Sequence, residues 1–235
     1  SGRNMARVDI KVVLLGQQNV GKSCLVDRYI NSTFDSQQKN TIGAAFAAKR
    51  VKLSEDKSVT LGIWDTAGAE RFESLSRVYY HGARAAIVCF DVTSSQSWQK
   101  LKFWVDELHQ NEPNCKVFIA TTKCDLIDVE PSQSRPREPQ SARGAKAAPP
   151  PQRMKRAVLE REVEEYARSK DASVFQTSAK TGMGVESLFQ SIAADMGDSI
   201  QEGEGDLPSI PPTIRLDGQG DQEGGSASQK PGCCG

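Results

Sequence analysis

Gly16–Ser23 reads GQQNVGKS; an apolar run precedes it and the amphipathic stretch CLVDRYI follows it. The pattern G-x-x-x-x-G-K-S between a strand and a helix is that of a phosphate-binding loop. Backbone N–H groups along Gly16, Gln18, Asn19, Val20, Gly21 and onward to Cys24 would surround the α- and β-phosphates. Lys22 would reach the β- and γ-phosphates, and the Ser23 hydroxyl would ligate Mg²⁺. The loop alone implies a nucleotide-binding protein.

Working outward, short apolar stretches alternate with helical patterns. Strands are expected at Val8–Leu15, Ala44–Leu53, Val59–Trp64, Arg84–Phe90, Lys116–Thr121 and Ser173–Gln176. Helices are expected after the glycine loop, around Trp98, Leu101, Val105 and Leu108, over Met154–Ser169 and over Gly184–Met196. Alternation of this kind implies parallel β-α-β units with right-handed crossovers, and a ligand at the carboxyl ends of the strands. The fold class is therefore α/β: a mostly parallel central sheet flanked by helices in three layers.

The 235 residues suffice for one substantial core, and 30 basic against 30 acidic side chains leave no global field to recruit nucleic acid. A mean hydropathy of −0.50 is low for a fully globular chain. Of 11 prolines, six lie between Pro131 and Pro151 and four between Pro208 and Pro231, which marks two low-complexity segments. The first, at about 128–151, reads as a disordered insertion; from Asp128 to Arg156 it carries seven Arg or Lys against three acids. That excess suits either a solvated, functionally tolerant insertion, the favoured reading, or binding to an acidic partner or lipid headgroups. The N-terminal residues 1–7 and the Gly-rich stretch 201–235 read as flexible, around a folded body at 8–200. No apolar stretch is long enough to span a bilayer and no secretory leader is recognisable, so a cytoplasmic protein is expected unless it is anchored afterwards. Cys24, Cys89, Cys115 and Cys124 have neither metal nor disulfide spacing and read as reduced thiols. Cys233 and Cys234 stand apart, adjacent and followed only by Gly235.

The glycine loop has companions in a fixed order: Thr41, WDTAG at Trp64–Gly68, TKCD at Thr122–Asp125 and TSAK at Thr177–Lys180. Asp125 offers two carboxylate oxygens to guanine's ring N–H and exocyclic amine, a donor pair adenine lacks. The set resembles the five guanine-nucleotide motifs of the Ras-like small GTPases. The resemblance implies GTP and GDP with Mg²⁺ as cofactors. It places the Lys123 stem across the base, Ser178, Ala179 and Lys180 in the loop supporting it, and Phe34 as its aromatic cover, although Phe34 also suits plain packing. It implies that Thr41 joins Mg²⁺ and the γ-phosphate only in the triphosphate state, that Asp65 holds the same metal through water, and that the Gly68 N–H faces the γ-phosphate. Hydrolysis would then release both loops. The groups expected to act in cleavage are Lys22, Ser23, Thr41 and Gly68, with Ala69 at the water-orienting position.

TIGAAF from Thr41, WDTAGAERF from Trp64 and YYHGARAAIVCFDVT from Tyr79 resemble the Rab subfamily in particular. Phe46, Trp64 and Tyr79 match the aromatic triad that Rabs present to effectors, though core packing would also suit them. The terminal GCCG resembles the double-cysteine signal on which Cys233 and Cys234 both receive geranylgeranyl chains, two lipids being needed for stable anchoring. The resemblance implies a monomer that cycles between cytoplasm and the cytosolic face of internal membranes. Its partners would be an exchange factor, a GTPase-activating protein, the Rab escort protein with geranylgeranyl transferase, a GDP dissociation inhibitor and GTP-state effectors.

Two positions depart from the Rab pattern. Ala69 stands where the family carries a glutamine that orients the attacking water, and a methyl group cannot do so. Slow intrinsic hydrolysis is expected, tempered because Rab activating proteins supply a glutamine and an arginine in trans. Thr122 stands where the family carries asparagine, whose amide bonds the purine N7 and braces the phosphate loop together; losing one or two such bonds predicts faster exchange. Gln18 replaces a small residue near the γ-phosphate. These departures resemble one atypical Rab paralogue that the family links to autophagy and late endosomal traffic, and the long insertion is no part of that resemblance. A constitutively GTP-loaded scaffold is the alternative that Ala69 motivates. An ATP-dependent P-loop kinase is disfavoured by Asp125.

Overall fold

The structure is a computed structural model that describes residues 8–68, 73–127 and 154–197. Ala69, Cys233, Cys234, the insertion, the N-terminal residues 1–7 and the stretch 201–235 lie outside the described residues. Along the chain run β1 (Ile10–Gly16), α1 (Lys22–Asn31), β2 (Ala44–Lys52), β3 (Ser58–Thr66), α2 (Glu73–Tyr80), β4 (Ala85–Asp91), α3 (Ser95–Asn111), β5 (Lys116–Thr122), α4 (Glu160–Ser169), β6 (Ser173–Gln176) and α5 (Val185–Gly197). The strands form one sheet in the order β2-β3-β1-β4-β5-β6. Every neighbouring pair is parallel except β2 and β3, which form a hairpin with Phe46 opposite Trp64.

Continuous apolar runs build the centre: β1 and β4 are buried along their whole length, as parallel strands covered on both faces must be. Side chains alternate between two cores. Val12 and Leu14 face a layer made by Leu25 and Tyr29 of α1 and Leu188, Phe189 and Ile192 of α5. Val13 and Leu15 face Trp98, Leu101, Val105 and Leu108 of α3 and Val163 of α4. Tyr29 stacks on Phe189 with ring centroids 3.8 Å apart, which ties α1 to α5. Burying a side chain of this size contributes about 1.5–3 kcal/mol, so these layers hold the frame on which the loops sit. Ser94 caps α3 by accepting from the Ser97 N–H, and the helix ends just before Pro113.

Two elements differ from the reading of the sequence. The helix expected over Met154–Ser169 begins only at Glu160. Its first residues are used otherwise: Met154 bridges in parallel to Ile127, its N–H donates to Leu126 O (2.8 Å), the Ala157 N–H donates to Val92 O (2.8 Å), and Val158 fills the core. The backbone there is held by tertiary hydrogen bonds, which an apolar period cannot report. Helix α2 was not anticipated at all.

Candidate functional site

At the carboxyl ends of β1, β3, β4 and β5 the loops enclose a cavity of about 640 Å³, within the range of small-ligand sites. Gln18–Leu25, Phe34, Thr41, Thr66, Gly68, Thr122, Lys123, Asp125, Ala179 and Lys180 all line it. Residues up to 160 positions apart are thus brought together. Gly16, Asp65 and Ser178 stand behind this lining and hold it in shape.

The glycine loop owes its path to two backbone angles. Gly16 has φ 138°, and a Cβ there would collide with the Cys89 carbonyl of β4, so only glycine lets the chain leave the sheet at that point. Gly21, at φ 96°, precedes α1 and offers no side-chain cap, so the first N–H groups of the helix point toward the cavity, where an anion is favoured. Lys22 is buried within the loop and its ammonium donates to the carbonyls of Gly16 and Gln17, both at 3.0 Å. Burial lowers its pKa; Asp65 and Cys89 act weakly the other way. A Cβ on Gly68 would meet the Lys22 ammonium and, at 2.6 Å, the Gln18 nitrogen. The start of the second switch therefore lies against the phosphate loop with no room for a side chain.

Three oxygen-bearing side chains from separate elements converge beside Lys22. The Ser23 hydroxyl on α1 donates to Asp65 Oδ2, it shares a hydrogen with Thr41 Oγ1 at 2.7 Å, and Thr41 Oγ1 donates to Asp65 Oδ2 at 3.3 Å. Asp65 is almost fully buried, and its Oδ1 has no hydrogen-bond partner among the described residues. Burial raises its pKa, while Ser23, Lys22 and Thr41 pull it down. A buried carboxylate oxygen left unpartnered next to two hydroxyls fits Mg²⁺, which takes hard oxygen ligands and is held by one or two carboxylates plus substrate phosphates. The first switch threonine thus meets the expected metal residues.

At the far end Asp125 accepts from the Ser178 hydroxyl at 2.6 Å, and the Lys180 ammonium stands 4.0 Å from its other oxygen. Lys123, at φ 58°, sends its ammonium back to Asp91 at 2.7 Å, which lays its stem along the cavity. The Ser178 N–H is spent on Met183 O, while Ala179 and Lys180 of the same loop line the cavity. Phe34 is 37% exposed and lines the cavity.

Thr122 is the point at which the geometry alters the expectation. Its hydroxyl is buried 2.6 Å from Val20 O and 2.9 Å from Phe90 O. Threonine is therefore long enough to brace the phosphate loop, contrary to the loss of bracing expected from its size. A single hydroxyl hydrogen directed at a carbonyl leaves no donor for a purine N7. All four of these cysteines are free: Cys24 is half-buried at the cavity wall, near Gln38 Oε1 (2.9 Å), while Cys89, Cys115 and Cys124 are buried thiols.

Asp91, at the end of β4, was not selected from the sequence as a site residue. Burial would raise its carboxyl, but hydrogen bonds from Lys123 and Thr93 outweigh that and hold it below the ordinary range. The signal available was its position, an acid closing an apolar parallel strand. Outside the cavity, Phe46 and Trp64 meet edge-on at 4.8 Å and 60°, and a Cβ added to Gly43 would come into ordinary contact with Tyr79 OH. All three are half-buried, which is surface packing, and Ile42 (71% exposed) and Val78 (72%) stand open beside them in sequence.

The model of the Ras family matches residues 11–198. The chain is 40% identical over 229 residues to the Ras-related protein Rab-24 of Dictyostelium discoideum, covering 97% of this chain and 98% of that protein. It is 38% identical to the human Ras-related protein Rab-22A, with 87% and 90% covered. To the GTP-binding protein YPT52 of Saccharomyces cerevisiae it is 36% identical, with 81% and 83% covered. A six-stranded sheet with one antiparallel edge, a cavity at the strand ends that gathers Lys22, Thr41 and Asp125, and relatives that span nearly the whole chain agree: the chain belongs to the Rab group of the Ras family.

Proposed function

We propose that this protein is a GTP/GDP-dependent switch in intracellular membrane traffic, with slow GTP hydrolysis of its own. The observation that carries the reading is the single cavity in which Lys22, the Ser23–Thr41–Asp65 cluster and Asp125 line up. Lys22 and the N–H groups of the loop would stabilise negative charge on the phosphates, and no protein nucleophile is required. Ser23, Thr41 and Asp65 would hold Mg²⁺, which supplies charge neutralisation at the β- and γ-oxygens. Asp125 would select guanine. Thr41 lies just ahead of β2 and meets the cluster through one hydroxyl, so loss of the γ-phosphate would weaken its hold and free the first switch.

Cleavage is proposed to be slow because Ala69 cannot orient water, with activating proteins supplying what is missing. Release and reloading would need an exchange factor. Cys233 and Cys234 would each carry a geranylgeranyl chain, added through the escort protein and its transferase and extracted by a GDP dissociation inhibitor. Phe46, Trp64 and Tyr79 would carry the effector surface. A place in autophagy or late endosomal traffic is part of the proposal and rests on the resemblance of the Ala69 and Thr122 departures. Ala69 also favours a second reading, a scaffold loaded permanently with GTP.

Hydrogen exchange of residues 33–43 tests the switch. Protection with a non-hydrolysable GTP analogue and loss of it with GDP is the expected result; equal exchange in both contradicts the reading. Turnover with a panel of Rab activating proteins separates the two alternatives, since robust stimulated cleavage excludes the scaffold.

A further inference from the structure

Arg28 lies in the last turn of α1 and belongs to none of the nucleotide motifs. Its guanidinium nevertheless reaches across the molecule. Nε donates to Ala179 O at 2.5 Å and Nη2 to Lys180 O at 2.9 Å, 151 and 152 positions away in sequence, while Nη1 donates to Ser32 O at 2.7 Å. We propose that Arg28 is a positioning residue that sets guanine selectivity and nucleotide residence time by clamping the base-supporting loop to the end of α1. This deepens the guanine-nucleotide reading of the cavity and rests on it.

The argument follows the contacts. A rigid planar fork that satisfies two consecutive carbonyls fixes the loop in orientation as well as in place, and a charged donor strengthens each bond. The same loop carries Ser178, whose hydroxyl holds Asp125 Oδ1, and Lys180, whose ammonium stands at Oδ2. The aim of the guanine-reading carboxylate is therefore set by a loop whose own position depends on Arg28. The loop is closed on itself by the Ser178 N–H to Met183 O (2.9 Å) and the Gly182 N–H to Ser178 O (2.8 Å), and Arg28 ties that closed turn to α1. The third contact completes the clamp. Ser32 is the left-handed cap of α1, its N–H bonded to Arg28 O at 3.1 Å, and two residues further on Phe34 borders the cavity. One side chain thus links the loop beneath the base to the start of the segment that covers it.

The test compares release of GDP and IDP, whose hypoxanthine base lacks the exocyclic amine Asp125 would read, from wild type, Arg28→Ala and Arg28→Lys in Mg²⁺. Arg28→Ala is expected to release GDP about tenfold faster, and to narrow the GDP-over-IDP preference by at least about threefold. Arg28→Lys, with one point-like donor in place of the fork, should recover part of both effects. GDP release within twofold of wild type, or acceleration of GDP and IDP by the same factor, overturns the proposal. If Arg28→Ala does not yield folded protein, Arg28→Lys decides alone, and release rates equal to wild type for both nucleotides overturn it. Failure of the wild type itself to retain GDP would refute the nucleotide reading of the cavity instead.

Discussion

Thr122 shows how one side chain can keep half of a task. Its hydroxyl holds the phosphate loop through Val20 O and β4 through Phe90 O, and that uses its one hydrogen. Replacing it by asparagine restores two N–H donors, one for Val20 O and one for the base. Thr122→Asn should therefore slow GDP dissociation by about tenfold, the effect of one added hydrogen bond, with little change in thermal stability. Displacement of a fluorescent GDP analogue measures it, and an unchanged rate contradicts the assignment. At this scale the sequence was a good guide where chemistry depends on residue type, as at Lys22, Ser23 and Asp125. It was silent where chemistry depends on distance: that Asp65 Oδ1 is orphaned, or that a threonine reaches Val20 O, follows from the meeting of strands remote in the chain.

Among the elements, strands were easier to foresee than helix starts. β4 holds the apolar run Ala85–Phe90 and β5 the run Val117–Ala120, and burial on both faces is what such runs mean. Met154–Leu159 looked helical and is not, because its donors find Leu126 O and Val92 O before a helix can form. Helix α2 is only eight residues long, Glu73–Tyr80, so its apolar positions Leu75, Val78 and Tyr79 do not repeat over enough turns to announce it. The end of β4 carries a prediction of its own. Asp91 titrates below the ordinary carboxylate range because Lys123 and Thr93 bond its charged form. A carboxyl so depressed contributes stability above its unfolded pKa, and that contribution vanishes as pH falls through its folded value. Asp91→Asn should cost about 1–2 kcal/mol at pH 7, and the gap from wild type should close in acid below the ordinary carboxylate range. Urea unfolding at several pH values checks this; a gap independent of pH contradicts it.

For the molecule as a whole, the bridge between Ile127 and Met154 matters most, since it closes the body across the insertion. The two ends of residues 128–153 meet there, and the Leu126 carbonyl and Met154 N–H complete the seam. Replacing 128–153 with a six-residue Gly/Ser linker removes loop-closure entropy of about 1 kcal/mol. Such a variant should melt about 2–4 °C higher and retain GDP as the wild type does. Thermal unfolding and GDP release check it together, and a lower melting point would mean that the insertion contributes to the fold. Around that closed body the cores on either side of the sheet fix the strand ends, and the strand ends fix the cavity. A phosphate half built on Gly16–Ser23 and a base half built on Asp125 stand at opposite ends of one space. The most direct measurement is the equilibrium binding of GDP and ADP to wild type and to Asp125→Ala in the presence of Mg²⁺. Tight GDP binding, no comparable ADP binding, and a fall of about 10- to 100-fold in GDP affinity on substitution are the predicted results. Equal binding of the two nucleotides by the wild type, or GDP binding indifferent to Asp125→Ala, would contradict it.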